Sequence, residues 1–244
     1  MFFSLFLILE ILFEKTTGLT AMTLALNYKC TVKPGQREAW LTKIQDDQLC
    51  TRRDEPGNLQ FIVGQDVDDE NTFYLHEEFN SMAAFQDHCA SKHYARYDAF
   101  LKSSDPFIDE PEINFYQPQE EDDSVSHKKR PSHKNAFGLN VNLYPKATVR
   151  EDFLKVISDN KKGTDSTEEL ALQYTYGEAT TVEGVKKGAV NVFHFHEQYT
   201  GKELGKEGFN AHASTPHFVA WEDFVSTDPF ERDPEVFFFH IIEP

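Results

Sequence analysis

The chain has 244 residues, 39% of them hydrophobic and 22 of them Phe, enough for two ordinary domains with a core each. Its net charge of −17, from 41 acids against 24 bases, repels phosphate backbones and argues against nucleic acid as a partner. The three cysteines, Cys30, Cys50 and Cys89, are odd in number and lack CxxC spacing. They suggest neither a disulfide framework nor a zinc knuckle, and a reducing compartment fits them best.

Residues 1–21, opening MFFSLFLILEILF, are apolar but lack a basic start and carry Glu10. The run is also too short for a comfortable membrane span, so no stable span is expected. Three readings stand: an upstream extension with Met22 as the true start, a cleaved targeting segment, or a membrane-associated helix. The compartment is then cytoplasmic, or organellar if residues 1–21 are a targeting segment.

Residues 22–117 read as one domain. LNYKCTV is an extended run, and Pro34-Gly35 punctuates it. Trp40, Leu41, Ile44 and Leu49 recur at helical spacing through Cys50. Pro56-Gly57 ends that helix. NLQFIVGQDV and TFYLHEEF are strands flanking a turn at residues 68–71. Ser81 caps a helix with Met82, Phe85 and Cys89, a further helical region carries Tyr94, Tyr97 and Phe100, and PEINFYQP closes the domain as a strand. The middle strands are apolar on both faces, which predicts a second sheet packed against the side the helices leave open.

Residues 118–135 are a charged, flexible linker, an acidic block followed by a basic one with no apolar period. Residues 136–244 then repeat the first domain. FYLHEEF pairs with FHFHEQY, HCASKHYARYDAF with HASTPHFVAWEDF, and Asp105-Pro106-Phe107 with Asp228-Pro229-Phe230. Ordered matches over roughly 90 residues establish a tandem repeat. The predicted fold class is α+β: two tandem ferredoxin-like β-α-β-β-α-β repeats whose antiparallel sheets pack into one intramolecular barrel. A monomer with an internal pseudo-dimer follows, and a higher oligomer stays compatible with it.

KPGQREAWL, the Pro-Gly turn, the strand ending HEEF and the stretch HCASKHY resemble the antibiotic biosynthesis monooxygenase (ABM) domain family, dimeric α+β barrels. HEQY and HASTPHF stand at the matching places of the second copy. The family includes cofactor-free oxygenases acting on quinol-like aromatics, small-metabolite enzymes and haem-degrading enzymes, so fold alone does not decide the activity. The haem-degrading branch is disfavoured: its iron-ligating His falls on Asp98 and Glu222, and its pocket Trp on Phe79 and Tyr199. In oxygenase members an Asn matching Asn27 and Asn140 helps orient substrate or dioxygen.

His88 and His93 are five residues apart, as are His212 and His217. An unbroken helix would turn about 500° over that interval and separate them. Pro216 signals a break, capped by Ser214 or Thr215, that could turn both imidazoles toward one cleft for substrate positioning or proton transfer. The alternative is a capping or packing pair. Glu77 and Glu197, on the strand face shared with Phe79 and Tyr199, could serve as a buried general base or as a structural hydrogen-bonding group. His194 and His196 share a strand face that could suit a metal, but no third ligand is evident, and aromatic filling with satisfied imidazoles fits better.

The expected catalytic set is Asn140, Glu197, Tyr199, His212, His217 and Trp221, in the second copy. The substrate-binding set is Asn27, Glu77, Phe79, His88 and His93, with no metal and no cofactor. The leading reading is a cofactor-independent monooxygenase-like enzyme with a small aromatic or quinol-type substrate and dioxygen. Its competitors are a non-catalytic binding or scaffold protein of the same fold, and a small-metabolite isomerase or lyase.

Overall fold

The structure is a computed structural model that describes residues 23–119, 136–180, 182 and 191–244. The readings of residues 1–21, and of all but the first two linker positions, lie outside the described residues. The described chain divides into two compact units: residues 23–117 with Thr180, Val182 and 242–244, and residues 118–119, 136–179 and 191–241.

Unit one runs β1 (Leu24–Thr31), α1 (Arg37–Asp54), β2 (Asn58–Asp66), β3 (Thr72–Phe79), α2 (Met82–Cys89), α3 (Lys92–Ser104) and β4 (Glu112–Pro118). Its sheet is antiparallel, with β3 between β1 and β2, and β4 on the other side of β1. The β2–β3 turn is built by Asp66, whose Oδ1 accepts from the backbone N–H of Asp68 and Asp69 at 2.9 and 3.0 Å. Trp40, Ile44, Phe61, Phe73, Phe79 and Phe115 form the centre of the core under the helices. Val182 joins that core from far along the chain, and the Ile242 N–H donates to the Val63 carbonyl.

Unit two runs β5 (Phe137–Leu143), α4 (Arg150–Thr167), β6 (Ala171–Ala179), β7 (Phe193–Tyr199), α5 (Lys206–His212), α6 (Pro216–Val225) and β8 (Glu235–Ile241). Here β7 lies between β5 and β6, and β8 borders β5. Phe153, Ile157, Tyr174, Phe193, Phe195 and Tyr199 centre its core. The ladder order β1-β3-β2-β8-β5-β7-β6-β4 closes as one antiparallel barrel. Every residue of β3 and β7 is buried, in keeping with strands apolar on both faces.

The matched Asp-Pro-Phe triplets have a structural cause. Asp105 and Asp228 both adopt left-handed backbone conformations, with φ of 43° and 57°. Lys33 Nζ donates to the Asp105 carbonyl and carboxylate at 2.7 and 2.6 Å, and Lys146 Nζ does the same to Asp228 at 2.6 and 2.8 Å. One lysine after the first strand thus pins the chain after the last helix in each unit.

One residue of the helically spaced set in α1 lies outside the core. Leu49 is 51% exposed. The inner face of α1 instead buries Asp47, Gln48 and Thr51 beside Ile44, because Asp47 meets His93 at 2.7 Å, Gln48 Nε2 donates to the Phe61 carbonyl at 2.9 Å and Thr51 Oγ1 lies 3.4 Å from His88 Nδ1.

Candidate active site

In each unit the site begins with a helix break. Ser91 Oγ accepts from the Tyr94 N–H at 3.1 Å, and Thr215 Oγ1 accepts from the Phe218 N–H at 3.3 Å. α2 and α5 therefore end near the first His of each pair, and a new helix starts just before the second. The imidazole centroids come to 5.7 Å for His88–His93 and 5.9 Å for His212–His217.

What draws each pair together is a glutamate that the sequence reading missed. Glu55 is the C-cap residue of α1 and Glu168 that of α4. In unit two, His212 Nδ1 lies 2.8 Å and His217 Nε2 2.6 Å from the same oxygen, Glu168 Oε1. A carboxylate oxygen only accepts, so both nitrogens carry hydrogen there. Burial pushes Glu168 up, but the hydrogen bonds and charges of His212 and His217 outweigh it and hold the carboxyl below its ordinary range.

Unit one has the same core with more charge. His88 Nδ1 lies 3.0 Å from Glu55 Oε2, and His93 Nε2 lies 2.8 Å from Glu55 Oε1. His93 Nδ1 meets Asp47 Oδ1 at 2.7 Å. His88 Nε2 stands 3.9 Å from both Asp47 Oδ2 and Glu77 Oε2. Burial pulls His88 down, yet Glu55, Glu77 and Asp47 together hold it above its ordinary value. Burial also lifts Asp47, against the pull of His88 and His93. Glu77 is pushed up to about 7, by burial first and by Asp47 and Glu55 after it. A sequence signal for the missed residues exists. Asp47, Thr51 and Glu55 repeat every four residues, as do Asn160, Thr164 and Glu168, giving a polar stripe on a helix that should face a core.

The strand contributes a buried carboxyl beside each pair. Tyr199 hydroxyl donates to Glu197 Oε2 at 2.6 Å, and the Tyr199 ring lies 5.3 Å from that of His212. Burial raises Glu197, opposed by His212 and by the Tyr199 hydrogen bond. In unit one the tyrosine is Phe79, whose ring lies 5.5 Å from His88. So Glu197, Tyr199, His212 and His217 gather at one place in unit two, as Glu77, Phe79, His88 and His93 do in unit one.

Three of the expected residues go elsewhere: Asn27, Asn140 and Trp221. Asn140 pairs in register with His196, and Asn27 with His76. Their side chains meet those imidazoles, at 2.8 Å (Asn140 Oδ1 to His196 Nδ1) and 2.9 Å (Asn27 Oδ1 to His76 Nδ1). Strand alternation puts these residues on the sheet face opposite Glu197 and Glu77, so the asparagines do not join the His pairs. Trp221 turns its ring to Phe153, Phe224 and Phe230. His194 Nδ1 likewise meets Asn142 Oδ1 at 2.7 Å. Both strand histidines of β7 are thus engaged by asparagines of β5.

Residues 23–99 match the family model for antibiotic biosynthesis monooxygenase. They are an ABM domain. Unit two repeats the element order of unit one and its His-pair geometry. Nearly the whole chain is similar in fold to a candidate monooxygenase from Fusobacterium nucleatum subsp. nucleatum, with TM-score 0.76 at 18% identity, covering 92% of this chain and 94% of that one. A second candidate monooxygenase, from Lactobacillus acidophilus, gives TM-score 0.69 at 16% identity over 90% and 94% of the two chains. An anthrone oxidase-like protein gives TM-score 0.58 at 10% identity over 92% of each. At these identities the likeness is one of fold alone. No curated relative matches the chain by sequence. Among the described residues, no helix is long and apolar enough to cross a membrane.

Proposed function

We propose that the chain is a cofactor-independent oxygenase-like enzyme whose reaction begins with proton abstraction in unit two. The observation that carries this reading is the shared Glu168 oxygen. With its Nδ1–H held by Glu168, a neutral His212 has its lone pair on Nε2, as an imidazole base oriented by a carboxylate. His217, 16% exposed, carries the same carboxylate toward solvent and offers the proton an exit. The Glu197–Tyr199 pair supplies a buried acid and hydroxyl to hold a substrate oxygen.

A small aromatic of quinol or anthrone type suits such a base. Losing one proton makes it an electron-rich anion that reduces dioxygen directly. Forming a carbon–oxygen bond and releasing the second oxygen atom as water consumes four electrons, and a substrate oxidised from methylene to carbonyl supplies all four. The protein then needs to deprotonate, orient and exclude water.

One observation favours a second reading, a binding protein that has kept the fold. His212 is ringed by Tyr174, Tyr199 and Phe218 at centroid distances of 6.1, 5.3 and 4.9 Å, so a substrate reaches it only if the α5–α6 segment gives way. Oxygen uptake by the chelator-treated chain against a panel of phenols, quinols and anthrones separates the two. Turnover that falls roughly 10²–10⁴-fold in His212→Ala, and measurably in His217→Ala and Glu197→Gln, supports the enzyme. Binding of panel members without uptake supports the second reading.

A further inference from the structure

We propose that the Glu55–His88–His93 cluster of unit one is a site for one divalent transition-metal ion of the zinc class, with Asp47 as the group that orients it. Each of the three residues brings a ligand atom within 4.8 Å of the other two. Glu55 Oε1 is already 3.2 Å from His88 Nδ1 and 2.8 Å from His93 Nε2. An ion bound at about 2.0–2.2 Å to nitrogen and oxygen sets its ligands roughly 3.4 Å apart in a tetrahedron. Those two contacts need to lengthen by only about 0.2 and 0.6 Å to reach that spacing, and the third pair already lies within 4.8 Å. Two imidazoles and one carboxylate form a borderline donor set, which selects zinc- or ferrous-type ions over magnesium and calcium.

The surroundings of the three ligands fit as well. A metal-bound imidazole almost always donates its other N–H to a carboxylate or carbonyl. His93 Nδ1 does so to Asp47 Oδ1 at 2.7 Å, and Asp47 is only 2% exposed. Glu77 and Asp47 add two further carboxylates, both 3.9 Å from His88 Nε2. Three carboxyl groups around two imidazoles give a dication negative charge to meet, and it would release protons from them as it binds.

Unit two carries the same three ligand types in Glu168, His212 and His217, but not this setting. Asn160 replaces Asp47 and donates to the Tyr174 hydroxyl at 3.1 Å. Glu197 is tied to Tyr199 where unit one has Phe79. The two copies have thus diverged at the residues that would favour a cation in one and proton exchange in the other. The ion is inferred from unit one alone and its binding is read without substrate, so it stands or falls apart from the oxygenase reading.

The test is calorimetric titration of the chelator-treated full chain with zinc, repeated with cobalt(II) for its visible absorption and with magnesium as control. One tight zinc site is expected, with ligand-field bands for cobalt and no competition from magnesium. Glu55→Gln, close to isosteric, and His93→Ala should abolish it while far-UV circular dichroism stays unchanged. Asp47→Asn should weaken it about 10–100-fold. His212→Ala should leave it in place. No zinc binding by the folded parent, equal binding in Glu55→Gln and His93→Ala, or loss in His212→Ala alone would each overturn the assignment, leaving the cluster as a carboxylate–imidazole hydrogen-bond network.

Discussion

The Tyr199 hydroxyl donates to Glu197 two residues earlier on the same strand at 2.6 Å, and both side chains are buried. In unit one the partner is absent: Phe79 stands in place of Tyr199, and Glu77 Oε2 is buried without a hydrogen-bond partner. Tyr199→Phe should convert the second arrangement into the first. Leaving one oxygen of a buried carboxylate unsatisfied costs about 1–3 kcal/mol. Urea denaturation at neutral pH should show that loss, and it should shrink at acid pH, where the carboxyl is protonated. An unchanged midpoint at both pH values would mean the hydrogen bond contributes nothing.

Gly163 sits where α4 passes His217. A Cβ built there would stand 2.3 Å from His217 Nδ1, so any side chain displaces the imidazole. Gly163→Ala should therefore keep or slightly raise helicity, since alanine is favoured over glycine by about 1 kcal/mol inside a helix. The same change should break the His217–Glu168 contact. The imidazole N–H resonance of His217, held by Glu168 in the parent, should be lost from the NMR spectrum. Retention of that resonance would show that α4 yields instead.

His194 gives a pH dependence with a definite sign. Burial depresses its folded value to about 4, with the charge of Glu235 opposing. Above pH ~6.5 the ring is neutral in both folded and unfolded chains. Between 6.5 and 4 only the unfolded chain takes up the proton, so stability should fall as pH falls, by roughly 3 kcal/mol at most. Below 4 this contribution is constant. Melting temperature measured across the window should drop less steeply in His194→Gln than in the parent. Parallel curves would assign the acid sensitivity to other groups.

The two apolar residues of α1 that look alike in sequence should behave differently. Ile44 is 2% exposed and Leu49 51% exposed. Ile44→Ala should cost about 2–5 kcal/mol, whereas Leu49→Ala should stay within about 0.5 kcal/mol. Chemical denaturation of the two variants side by side checks the orientation of the helix.

Much of this protein is written locally. The repeat, the element order within each copy, the caps Ser91 and Thr215 and the break between each pair of histidines all depend on residues within a few positions of one another, where spacing and capping chemistry act. Alternation along β7 likewise places Glu197 and Tyr199 on one face from sequence alone. What the sequence could not decide is who meets whom across long separations. Glu55 reaches His88 from 33 residues away, and Glu168 reaches His217 from 49. Period shows that a helix carries a polar stripe, not what the stripe faces. Strand pairing decided the reverse case, since the register that sets Asn140 opposite His196 carries it to the other side of the sheet from Glu197. Local chemistry fixed which side chains are available at each turn and strand, and only tertiary packing, through the meeting of a helix end with a broken helix, made a charged site of them.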